Sequence, residues 1–96
     1  MRADYDSEAD ALDIELVPFE HFERQESVHD TYCQVGFAGG RPASVELLTP
    51  AEHLDLLDIV AERYDLDGSA LRAAAQAALA APDRVVELQV ASRVAA

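Results

Sequence analysis

The chain has 96 residues, half of them apolar, a single cysteine and a formal net charge of −12. This suits one domain with a modest core, and it excludes a compositionally disordered chain and an internal disulfide. No run approaches the ~20 apolar residues of a membrane span.

The charge is uneven. Residues 1–30 hold ten acids against Arg2 and Arg24, and the rest holds nine acids against five arginines. Such a field repels nucleic acid and anionic membrane and attracts cations and basic proteins. The start, "MRADYDSEAD", lacks a basic stretch followed by an apolar one, so no signal peptide is expected. A cytoplasmic protein is the expectation.

In chain order, a short strand through Ala3 and Tyr5 comes first. Leu12, Ile14 and Leu16 then alternate with Asp13 and Glu15, the period of a strand with one buried face. Asp6-Ser7-Glu8-Ala9-Asp10 between them has turn chemistry. Phe22 and Val28 suggest a short polar edge strand. Thr31 to Phe37 alternates with Cys33, Val35 and Phe37 inward. Gly39-Gly40 marks a tight hairpin, and Val45 and Leu47 return from it.

Thr49-Pro50-Ala51-Glu52 reads as a capping box with proline at the first helical position. Leu54, Leu57, Ala61 and Tyr64 share a face of the helix that follows. Leu56, Ile59 and Val60 widen that face, which predicts cover on more than one side. Asp67 is the expected cap of a second helix, with Leu66 and Leu71 as its staple, and Pro82 ends it. Val86, Leu88 and Val90 mark a last strand, which needs a sheet edge or a second copy to pair with. The expected fold is α+β in a single domain, 1–96. It comprises an antiparallel β-meander over 1–48, two helices over 49–81 packed on one face, and a C-terminal strand over 84–91.

Among candidate motifs, "DYDSEADALDIE" at residues 4–15 places Asp4, Asp6, Glu8, Asp10 and Glu15 at calcium-loop positions. Ala9 stands where that loop needs glycine, and Glu15 falls on a strand pointing away from the turn. A β-turn whose carboxylates accept from local amides is the better reading. His21, His29, His53 and Cys33 lack paired zinc spacing. Cys33, on an inward strand position, reads as a small buried hydrophobe. No nucleophile motif or phosphate loop is present, and no carboxylate pair stands out as acid and base. The expectation is no catalytic residue, no metal and no cofactor, with a role other than enzyme.

The stretch "YDSEADALDIEL" resembles the opening of a small bacterial family designated domain of unknown function 2283, close to Tyr-Asp-x-Glu-Ala-Asp-Ala-Leu-Tyr-Ile. Tyr5, Asp6, Glu8, Ala9, Asp10, Ala11, Leu12 and Ile14 match, and Asp13 stands where the family is aromatic. "VGFAGGRPASVELL" resembles its hairpin at Gly40, Val45, Glu46 and Leu48, with Ala43 or Ser44 where the family has glycine. The likeness spans about residues 3–50 and leaves the helices and last strand as an extension. It implies a small β-meander without an established activity. Members beside toxin-like genes imply an antitoxin-type role.

The functional expectation is a protein-binding or regulatory module that acts as a homodimer and masks a basic partner. Asp6, Glu8, Asp10, Asp13 and Glu15 are the expected contacts. Nucleic-acid mimicry would give the same kind of partner. The alternative is a small ligand-binding protein or enzyme with a pocket between sheet and helices, lined by Tyr32, Tyr64 or His53.

Overall fold

A computed structural model describes residues 1–89. Six strands, Arg2–Asp6 (β1), Ala11–Glu15 (β2), Arg24–His29 (β3), Cys33–Ala38 (β4), Arg41–Leu48 (β5) and Val85–Glu87 (β6), form one antiparallel sheet in the order β3-β4-β5-β2-β1-β6. Two helices, Asp55–Tyr64 (α1) and Gly68–Ala80 (α2), cover one face: α2 lies over β1 and β2, and α1 packs beside it toward β3. This is the α+β class expected from the residue pattern. Among the described residues no helix is long and apolar enough to cross a membrane.

Period-two alternation sorts the side chains. Ala3, Leu12, Ile14, Cys33, Val35, Phe37, Val45 and Leu47 point toward the helices and are buried. Leu56, Leu57 and Val60 of α1 and Leu71, Ala74, Ala75 and Ala78 of α2 close the core from above. The alanines let α2 sit low on the sheet. The helices also meet closely, since a β-carbon at Gly68 would lie 3.3 Å from that of Ala61. The wide apolar stripe of α1 is largely consumed by this double cover, which leaves Ile59 exposed.

Turns follow their residues. Gly39 and Gly40 both take positive φ, 64° and 76°, and close the two-residue hairpin between β4 and β5. Asp67 caps α2 by accepting from the Ala70 amide at 3.1 Å, as its position predicts. The Thr49 capping box does not form. Thr49 donates its amide to the Asp10 carbonyl at 2.9 Å and is held at φ 48°, with no side-chain cap. Residues Pro50–Glu52 make a separate 3₁₀ turn, and α1 starts later, at Asp55. The contact with the β1–β2 turn outweighs the local capping signal.

The last strand closes its own sheet: β6 pairs Arg2 with Glu87, Ala3 with Val86 and Asp4 with Val85. It spans only Val85–Glu87: Leu88 and Gln89, expected within it, fall outside the strand, though the Leu88 amide still donates to the Met1 carbonyl at 2.8 Å, and residues 90 and 91 of the expected strand lie outside the described residues. Asp83, at φ 64°, anchors the approach to β6 by accepting from the Ser7 hydroxyl at 2.6 Å and the Ser7 amide at 2.9 Å. Those two bonds hold its carboxyl below the usual range.

Two connections do not join neighbours: the helical one from β5 to β6, and the one from β2 to β3. Residues 16–23 carry the chain from β2 past β5 and β4 to the edge position of β3. Leu16 donates to the Ala43 carbonyl and Glu23 to the Phe37 carbonyl, each at 2.7 Å, which pins the crossing at both ends. This crossing sets β5 beside β2.

Candidate functional site

The helices leave the other face of the sheet uncovered. Register places Asp4 opposite Asp13, Asp13 opposite Glu46, and Glu46 opposite Gln34. Three carboxylates on β1, β2 and β5 thus stand abreast in one row across the strands. The next row runs Arg2, Glu15, Ser44 and Gly36. Arg2 is engaged by Glu87 at 3.5 Å and does not neutralise the row of acids. Like charges directly opposite one another in a sheet are destabilising, so this row works against the fold.

Asp13 bears the consequence. Desolvation at the middle of the sheet, then the Glu46 and Asp4 charges on either side, push its carboxyl up to about 6. Its side chain nevertheless remains exposed, so the row is open to a partner. The carboxylates lie side by side and do not converge. Among the described residues no group of three or more His, Cys, Asp or Glu side chains is arranged to hold a metal ion.

The expected contact residues divide into two sets. Asp13 and Glu15 lie on the open face. Asp6, Glu8 and Asp10 belong to the hairpin between β1 and β2, where two of them have structural work. Asp6 accepts from the amides of Glu8 and Ala9 at 3.0 and 3.1 Å, and Asp10 accepts from the Tyr5 hydroxyl at 2.6 Å. The turn reading of this acidic stretch therefore holds. Asp4 and Glu46 are not among the expected contacts: Asp4 stands out in the sequence only as a calcium-loop position and Glu46 only in the hairpin resemblance. Each shows in the alternation, between Ala3 and Tyr5 and between Val45 and Leu47, but their alignment with Asp13 needs the strand order.

An aromatic pair borders the row. Phe19 and Phe22, on the crossing segment, stack with centroids 4.6 Å apart. The Phe22 ring rests on Gly36, where any β-carbon would overlap it. Gly36 is thus a mid-strand seat for a ring, and it stands apart from the glycine pair of the turn that follows.

The side chains expected to line a sheet–helix pocket are split between the two ends of β4. Tyr32 stacks directly on His53, with centroids 3.9 Å apart, and the His29 ring is tilted to Tyr32 with centroids 5.0 Å apart. His53 Nδ1 donates to the Thr49 carbonyl at 2.9 Å, and His29 Nδ1 accepts from the Thr31 and Tyr32 amides. Tyr64 sits at the other end of β4, edge-on to Phe37 and donating to Glu26 at 2.7 Å. Cys33 is completely buried, and burial pushes its thiol up to about 11, far from a nucleophile's range. A separate cleft of about 390 Å³ opens at the end of the core among Leu16, Val17, Pro42, Leu66 and Leu71, with Arg41 and Asp67 also on its lining.

In comparisons with known proteins, the chain matches no protein-family model, no curated protein and no solved structure.

Proposed function

We propose that the protein is a binding module whose open sheet face docks onto a basic protein and masks its cationic surface. The observation that carries this reading is the row Asp4–Asp13–Glu46, with its like charges set opposite one another on the face that no helix covers. A partner's cations would relieve repulsion that the isolated fold retains, and electrostatic complementarity of this kind sets on-rate and specificity. The antitoxin-like version rests on the resemblance of residues 3–50 to the bacterial family named above. The face acts as well from one copy as from two, so the reading does not depend on the homodimer. The edge strand β3 carries Arg24, Glu26 and a register shift near His29, features that discourage strand pairing with a second copy.

The test is affinity capture at low salt, in parallel, with the native protein and with Asp4→Asn/Asp13→Asn/Glu46→Gln. A stoichiometric basic protein held by the first, lost from the second and released by salt is the expected result. Equal capture by both would remove the open face from the function.

The small-molecule alternative keeps one specific support, the apolar cleft beside Leu66 and Leu71. A thermal-shift screen reads it directly, because a ligand that binds only the native state raises the melting temperature.

A further inference from the structure

The open face carries an apolar anchor beside its charge. Phe22 keeps 41% of its surface exposed while its ring is held in place by Phe19 and by the seat at Gly36. Aromatic side chains are enriched at interface centres, while charged groups lie at the polar rim and steer the encounter. Across the sheet the order is Asp4 on β1, Asp13 on β2, Glu46 on β5 and then Phe22 over Gly36 of β4, two residues along the strand from Gln34, which stands opposite Glu46. Neighbouring strands lie about 4.8 Å apart and two strand residues span ~6.7 Å, so the carboxylates stand at ~0, 5 and 10 Å across the sheet, and the Gly36 seat lies ~16 Å from Asp4 on a line slanted toward that end of β4.

An α-helix rises ~1.5 Å per residue. Its positions i, i+4, i+7 and i+11 share one face at ~0, 6, 10.5 and 16.5 Å. A helix laid across the strands therefore sets roughly one turn over each strand, and long cationic side chains absorb the small mismatch. An extended strand repeats on one face every ~6.7 Å and is well out of step by the fourth point.

We infer that the occupant of the open face is an amphipathic α-helix of a basic protein, lying across the strands. It carries Arg or Lys at i, i+4 and i+7 above Asp4, Asp13 and Glu46, and an apolar side chain at i+11 against Phe22. This rests on the acidic-face reading and adds the form of the partner to it.

The experiment measures fluorescence anisotropy of two labelled peptides of identical composition in a helix-favouring alanine background. One has Lys at i, i+4 and i+7 and Leu at i+11; in the other these residues are spread around the helix. The patterned peptide should bind about ten-fold tighter or better. Phe22→Ala should lower its affinity about ten-fold while changing the spread peptide less than about two-fold. Gly36→Ala, which drives the ring from its seat without altering it, should reproduce that loss, and circular dichroism checks that each variant is folded. Asp13→Asn/Glu46→Gln should weaken both peptides. Equal affinity for the two peptides, both lost on Asp13→Asn/Glu46→Gln, would overturn the helix and leave the acidic-face reading standing. Failure of both peptides to bind at low salt would overturn both. Displacement of the patterned peptide by spermine at matched charge would reduce the face to a cation exchanger and overturn the helix.

Discussion

The two faces of the sheet obey the same alternation and meet opposite fates. Under the helices, Leu12, Ile14, Val45 and Leu47 are removed from water and hold the domain together. On the reverse, Asp13 and Glu46 alternate with those same residues and repel each other. Burial rewards the covered face in proportion to apolar area, whereas the open face gains nothing from its charges until something cationic arrives. One face accounts for stability. The other is the place to look for function.

Neighbouring residues on opposite faces test the contrast most directly. Leu47→Ala should cost about 2–5 kcal/mol in urea denaturation, because it empties a packed site. Glu46→Ala, one residue away, should be neutral or stabilise by a few tenths of a kcal/mol, because it removes a like-charge neighbour. Comparable losses from the two would break the comparison.

Cys33→Ser asks the same question more gently. It puts a hydroxyl among apolar neighbours at a site with no exposure, and should cost about 1–3 kcal/mol. In the native protein the thiol should react with a disulfide reagent only on the timescale of opening, and rapidly once unfolded. Fast native labelling would show that the helices do not seal this face.

The open face should show itself in pH. With a folded value of about 6 against about 4 unfolded, Asp13 holds a proton in the native state between those values that the unfolded chain has released. Its contribution therefore favours folding at low pH and is lost as pH rises through 6. Asp13→Asn should match the native protein near pH 4 and exceed it in thermal stability at pH 7.5, while binding a basic partner more weakly. A stability gain joined to a binding loss marks a residue kept for function. A variant no more stable at pH 7.5 than the native protein would show that the row is already neutralised.

The smallest effect concerns the join between turn and helix. Thr49 sits at φ 48°, unfavourable for a β-branched residue, and makes no side-chain cap. Thr49→Gly should stabilise by about 0.5 kcal/mol, the relief of strain being partly offset by backbone entropy. A loss in the same denaturation series would show that the side chain contributes more by packing than its backbone costs.

Much of the fold is legible along the chain. The alternation of Leu12 with Asp13 and of Val45 with Glu46, the Gly39-Gly40 turn and the Asp67 cap are local, and local geometry suffices to read them. The candidate site is legible only in part. Asp13 and Glu15 stand out by period, but Asp6 and Asp10, equally acidic, are taken up by the hairpin. Glu8 lies exposed in the same turn.

By itself, the sequence determined which side of each strand is apolar and which is charged, because a side chain's face follows from a period of two. Only the tertiary structure decided which carboxylates are neighbours. The crossing segment sets β5 beside β2, and this brings Glu46, 33 residues away along the chain, level with Asp13. The same crossing lays Phe22 on Gly36. Strand order is a long-range choice, made by the joint burial of all the covered-face residues, and no local pattern in the chain encodes it.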